Sequence, residues 1–203
     1  AGGIGDAIAR ALQGAGLEVI GVDRQEHPHT GLAHYELVDL ADPVACASLM
    51  ARVGPVDVLV NNASVLVVRS LEEMELDDFD TLFDINLRAP VLLTRAALPG
   101  MIERGWGRII NLSSVGARTG GVSQSAVYNM TKAGIGSFTR FVARHYAAHG
   151  ITSNAIAPGA IVSGMTSHLS PEDITAVVAQ VPAGRMAHAD EVAAAAVFLA
   201  SEG

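Results

Sequence analysis

Tyr128 and Lys132 stand four residues apart, a spacing that puts both side chains on one face of a helix. An ammonium close to a phenol favours phenolate, so Tyr128 is expected to have a lowered pKa and to serve as a general acid/base. The chain carries twelve arginines and a single lysine, and that lysine is Lys132. Arginine cannot move its pKa into a useful range, whereas the compact lysine ammonium can. Upstream, the apolar residues 109–112 read as a buried strand that runs into Ser113-Ser114. A hydroxyl at the C-terminal end of a parallel strand lies where open α/β sheets bind ligands. Tyr-x-x-x-Lys also arises by chance in helices that do no chemistry, so the surrounding elements decide.

Those elements come from a core-rich chain. Of 203 residues half are hydrophobic and 17% are charged, enough for one good core and too few for two domains. No apolar run approaches the length needed to span a bilayer. A net charge of −8 offers no basic stripe for nucleic acid; it also fits ordinary solubility. A lone Cys46 excludes an intrachain disulfide and suits a reducing cytoplasm. The opening residues do not read as a signal peptide. His145, His149 and His168 are too scattered to suggest a metal site.

The N-terminal third reads as nucleotide binding. Gly3-Ile4-Gly5 opens an amphipathic helix that Gly14 and Gly16 close. Glycines at the mouth of a helix let backbone amides approach a phosphate. Residues 17–22 form a strand that ends at Asp23, 18 residues after Gly5, the ribose-binding position of a dinucleotide fingerprint. Residues 24–33 read as a loop and 33–38 as a third strand, followed by Asp39-Leu40. Strand 57–60 ends at Asn61-Asn62-Ala63-Ser64, where the asparagines serve either a site or a turn. A long helix over 77–104 carries Asn86 between apolar residues, with Pro90 and Pro99 expected to disturb it. A second long helix spans 125–149, strand 151–157 ends at Pro158-Gly159, and a helix over 190–200 closes the chain. Strands alternating with helices call for a doubly wound parallel α/β sheet in one domain, 1–203.

Asn111-Leu112-Ser113-Ser114, then Tyr-x-x-x-Lys with Tyr128 fourteen residues after Ser114, resembles the classical short-chain dehydrogenase/reductases, and the resemblance runs the length of the chain. It implies a Rossmann-like fold and a catalytic set of Ser114, Tyr128, Lys132 and Asn86, with Asn86 in a water relay to the lysine through a local kink. It implies cofactor contacts from Gly3, Ile4 and Gly5, from Asp23, from Asp39 and Leu40 beside the adenine, and from Asn61, Asn62 and Ala63. Tyr128, Lys132, Pro158, Gly159 and Ser163 complete that set. Asp39 could equally belong to the N-terminal region of the helix that begins near Asp42-Pro43. Ser64 stands where the family usually has glycine and adds a Cβ beside the cofactor ribose. Arg118 reads as a solvated arginine or as a partner for a substrate carboxylate. Residues 164–186, with Met165, His168, Leu169 and Met186, resemble the substrate lid.

The expected activity is interconversion of a secondary alcohol and a ketone with NAD(H). NADP is the less favoured cofactor because Asp23 repels a 2′-phosphate, although Arg24 could accommodate one. The expected partner is a small alcohol or ketone, without nucleic acid or membrane, in a homodimer or homotetramer built through the long helices. The competing readings are an NADP(H)-preferring carbonyl reductase, a non-catalytic nucleotide-binding or scaffold protein, and an epimerase or dehydratase. The sequence opens inside the family's glycine motif, and the family's first and last strands have no counterpart in it. Strands 17–22 and 57–60 are therefore expected to run parallel about 10 Å apart, twice the usual strand spacing, with no pairing between them.

Overall fold

The structure, a computed structural model, describes residues 3–25, 31–121, 125–167 and 169–202. Seven strands, each paired parallel to a neighbour, and eight α-helices lie along these residues. Strand β1 (Ile20–Asp23) pairs with β2 (His34–Leu37), while β3 (Val58–Asn61), β4 (Gly107–Leu112) and β5 (Ile151–Ile156) form a three-stranded sheet. Two short strands that the sequence did not suggest, β6 (Ile161–Val162) and β7 (Ala187–His188), pair with each other.

No hydrogen-bonded pairing joins β1 to β3 among the described residues, as expected of strands with an open slot between them. A cavity of about 1000 Å³ separates them, walled by Val19, Val22, Val58 and Val60 together with Ile8 and Leu12.

β4 shows why the sheet is covered on both faces. All six of its residues are buried, and successive side chains point to opposite sides. Ile110 and Leu112 pack with Ala7, Ile8 and Leu12 of helix α1 (Ile4–Gly14) and with Val192, Ala193 and Ala196 of α8 (Ala189–Ala200). Ile109 packs the other way, against Ala97, Leu98 and Met101 of α4 (Ala89–Arg104) and Val142 of α6 (Ala126–Tyr146). Helix α2 (Pro43–Val53) joins that second face through Cys46 and Leu49. Its start follows from local chemistry: the Asp42 carboxylate accepts the Val44 amide at 2.7 Å, and Pro43 occupies the first turn, where no N–H is needed.

The expected helix over 77–104 is built as α3 (Leu76–Phe83), a π-helical turn over Asp84–Arg88, and α4. Pro90 has no N–H to give the carbonyl of Asn86, four residues back, and the turn widens there, with the Ala89 amide bonded to the Asp84 carbonyl. Pro99, by contrast, does not end the helix, which runs on to Arg104 and stops at Gly105 with φ +66°. Helix α6 continues into a 3-10 turn over Ala147–His149. Helices α5 (Gly116–Thr119) and α7 (Pro171–Val178) are short. Among the described residues no helix is long and apolar enough to cross a membrane.

Candidate active site

A second cavity, of about 510 Å³, opens at the C-terminal ends of the strands and brings Ser114, Tyr128 and Lys132 into one wall. Tyr128 and Lys132 come one turn apart from α6, as their spacing requires. Lys132 is only 3% exposed; its Nζ donates to the Leu112 carbonyl at 2.8 Å and lies 5.6 Å from the centre of the Tyr128 ring. Burial favours the neutral amine and brings the Lys132 pKa down to about 8.

The two adjacent serines divide their work. The Ser113 hydroxyl donates to the Lys132 carbonyl at 2.9 Å and ties β4 to α6. The Ser114 Oγ accepts the Gly116 amide at 3.1 Å and reaches the Tyr128 hydroxyl. Tyr128 is not shifted as the sequence suggested. Burial pushes its phenol pKa up, and hydrogen bonds with Ser114 and Ser64 offset this only in part. The expectation of a lowered pKa treated the ammonium as the dominant neighbour; in the fold, desolvation of the phenol is the largest influence.

Asn86 is buried at 1% exposure inside the π-helical turn. Its Oδ1 accepts the Val65 amide at 2.8 Å and the Ser64 hydroxyl at 3.1 Å, and its Nδ2 donates to the Val65 carbonyl at 2.9 Å. Nδ2 also reaches Thr131 Oγ1 at 3.3 Å, whose hydroxyl donates to the Tyr128 carbonyl at 2.7 Å. Asn86 thus joins the turn after β3 to the helix that carries Tyr128.

On the nucleotide side, Ile4, Gly5, Asp23, Asp39 and Leu40 line the same cavity, as do Asn62, Ala63, Pro158, Gly159 and Ser163. The glycines are needed for close approach. Gly3 caps α1 with φ +73°, and a Cβ there would stand 3.2 Å from the Ser163 Cβ; a Cβ on Gly5 would stand 2.7 Å from the Asn62 amide nitrogen. This cradle leaves the first-turn amides of α1 at the cavity, an arrangement that fits a dinucleotide pyrophosphate. Asn61 does not join it. Its Nδ2 donates to Asn111 Oδ1 at 2.8 Å inside the core, because Asn61 is the last residue of β3 and points away from its neighbour Asn62.

Asp23 ends β1, its Oδ1 accepting the Gln25 amide at 3.1 Å. Asp39 accepts the Ala41 amide at 2.9 Å and lines the cavity, while the cap of α2 is Asp42. Thr166, which the sequence did not single out, pins Ser163: its Oγ1 accepts the Ser163 amide and donates towards the Ile161 and Ser163 carbonyls, all at 3.0 Å. Asn129 was missed as well; its amide donates to the Gly120 carbonyl at 2.5 Å and closes the turn after α5 onto α6. Arg118 is exposed on α5. Of the lid residues, Met186 is buried, while His168 and the Met165 side chain lie outside the described residues.

The chain matches the family model described as enoyl-(acyl carrier protein) reductase over residues 1–203. It is 36% identical to the 3-oxoacyl-[acyl-carrier-protein] reductase of Salmonella typhimurium, over 98% of this chain and 86% of that protein. It is 38% identical to the protein of the same name from Rickettsia conorii, over 99% and 86%. A solved structure described as a putative NAD(P)-dependent gluconate 5-dehydrogenase of Beutenbergia cavernae, with bound NADP, superposes with a TM-score of 0.93 at 33% identity, covering 99% of this chain and 86% of that one. A putative 2-deoxy-D-gluconate 3-dehydrogenase of Agrobacterium tumefaciens, also with NADP, gives 0.92 at 34%, covering 98% and 85%. The chain belongs to the classical short-chain dehydrogenase/reductases, NAD(P)-dependent oxidoreductases that act on CH–OH groups and the corresponding carbonyls.

Proposed function

We propose that this enzyme interconverts a secondary alcohol and a ketone, with Ser114, Tyr128, Lys132 and Asn86 as its catalytic set and NAD(H) as its preferred cofactor. The observation that carries the reading is that Ser114, Tyr128 and the buried Lys132 line one cavity at the C-terminal ends of the strands. A dinucleotide held by the glycine cradle of α1 at its pyrophosphate and by Ser163 at its nicotinamide would supply the hydride chemistry. In the reducing direction Tyr128 gives its phenolic proton to the substrate oxygen; in the oxidising direction it takes that proton back. Ser114, its oxygen already accepting the Gly116 amide, directs its own proton at the substrate oxygen and stabilises charge developing there. Lys132 supports the phenolate that forms as the proton leaves, and Asn86 holds the turn after β3 against α6.

The relatives' names cover a 3-oxoacyl group, which carries a ketone, and sugar acids, which carry secondary hydroxyls. The carboxylate of Asp23 at the end of β1 supports NAD over NADP, since it accepts bonds from a ribose hydroxyl and repels a 2′-phosphate. The assembly proposed is a homodimer or homotetramer through α4 and α6.

Tyr128→Phe tests the reading, because it keeps the ring and removes the proton. Turnover of a panel of ketones, followed by cofactor absorbance, should fall by about two to four orders of magnitude while the cofactor still binds. Retention of more than about a tenth of the activity would refute the assignment of Tyr128 as the general acid/base.

A further inference from the structure

Ser64 occupies the position where the family usually has glycine, and its hydroxyl lies between two members of the proposed catalytic set. It donates to Asn86 Oδ1 at 3.1 Å, lines the same cavity as Tyr128, and favours the phenolate there by hydrogen bonding. The direction of the first bond is set by geometry. Asn86 is clamped to the Val65 peptide through both ends of its carboxamide, Oδ1 accepting the Val65 amide at 2.8 Å and Nδ2 donating to the Val65 carbonyl at 2.9 Å. Turned over, it would face donor to donor and acceptor to acceptor, so Oδ1 is held towards Ser64. A carboxamide oxygen only accepts. The single proton of Ser64 therefore rests on Asn86.

We propose that Ser64 is a positioning residue for Tyr128, a hydroxyl that lends its proton to Asn86 while the phenol is neutral and turns it onto the phenolate when the phenol gives up its own. The inference rests on the catalytic reading of Tyr128 given above. No covalent bond changes at Ser64, which keeps its proton throughout and exchanges only the acceptor. The exchange is permitted because Asn86 Oδ1 keeps the Val65 amide when Ser64 leaves it. It is favoured because a hydrogen bond to an anion is roughly twice as strong as one between neutral groups. Around the phenol, α6 contributes Lys132, with Nζ 5.6 Å from the ring centre; β4 contributes the Ser114 hydroxyl, and the turn after β3 contributes Ser64. Ser64 is thus the one of these three whose proton is held by another member of the set.

The test is an ultraviolet tyrosinate titration of the whole enzyme, which needs no turnover. The chain has three tyrosines, Tyr35, Tyr128 and Tyr146, so the difference from Tyr128→Phe isolates the one in the cavity. Ser64→Ala should move that ionisation to higher pH by about one unit, the tenfold loss expected when one charge-assisted bond to the phenolate is removed. Ser64→Thr should restore it, and Ser64→Cys, a weaker donor of similar size, should shift it less in the same direction. The pH profile of kcat should move with the titration. An unchanged titration in Ser64→Ala and Ser64→Cys, or one moved to lower pH, would overturn the proposal even if both variants lose activity. If Tyr128→Phe stays active while the Ser64 shift is found, the catalytic reading fails and the hydrogen-bond exchange stands.

Discussion

The Lys132 ammonium donates to the Leu112 carbonyl across 2.8 Å and ties the middle of α6 to the last residue of β4. This bond holds the lysine beneath the cavity in surroundings that favour its neutral form. Its pKa falls from 10.5 to about 8, which at about 1.4 kcal/mol per unit is on the order of 3 kcal/mol. Between those two values the unfolded chain binds more protons than the folded one, so stability rises with pH through that window. Below it, the buried ammonium carries its full cost. Thermal unfolding of the wild type and Lys132→Met from neutral pH to the upper edge of the window should therefore show the wild type gaining on the variant. Parallel curves would mean that the ammonium is not destabilised by burial.

Asn111 is fully buried; it accepts from Asn61 at 2.8 Å and donates to Thr139 at 3.0 Å, joining β3, β4 and α6. Asn111→Val keeps the strand and leaves the Asn61 amide facing an apolar group. The urea midpoint should fall by an amount worth about 2 kcal/mol, with the slope unchanged. A midpoint equal to that of the wild type would mean that the polar chain adds nothing to stability.

Cofactor choice is read at Asp23. The wild type should show the higher kcat/KM with NAD, and Asp23→Ser should move the NADP-to-NAD ratio towards NADP by about tenfold, the effect of roughly 1.4 kcal/mol. A wild-type preference for NADP, the cofactor in the two superposed structures, would assign the choice to Arg24 instead.

The exposed stripe on α6 sets the fourth expectation. Met130, Ala133, Ser137 and Phe141 follow one helix face, with Met130 54% and Phe141 55% exposed. Apolar side chains spaced this way are suited to burial against a second copy. Light scattering at micromolar concentration should give a dimer or tetramer, and Phe141→Glu should reduce the mass towards that of one chain. A monomeric wild type would remove this face as an interface.

The element order was legible because it depends on local chemistry. Apolar runs with turn residues after them marked β1, β3 and β4. The glycines around α1 and the Asp42-Pro43 start of α2 marked helix ends. The family signature then directed attention to Ser114, Tyr128 and Lys132, and α6 carries the last two one turn apart. Even the widening at Asn86 had a signal in Pro90, four residues on. The short pair β6 and β7 had none, since two-residue strands exist only where distant backbone meets.

The sequence by itself determined which residues could share an element and which residue types were present at the ends of strands. Tertiary structure decided what each neighbour in a pair does: both serines line the cavity but the Ser113 hydroxyl is bonded to the Lys132 carbonyl, and Asn62 lines it while Asn61 bonds Asn111 in the core. Adjacent side chains on a strand alternate by rule, but which parity meets the cavity depends on the helices packed on each face. The same is true of charge. Spacing placed an ammonium near a phenol, and only the fold determined that Lys132 is buried and Tyr128 half-buried, so that desolvation raises Tyr128 and lowers Lys132. Ser64 lies 64 residues before Tyr128 in the chain, and no local pattern could bring its hydroxyl there; the π-helical turn and the Val65 clamp do.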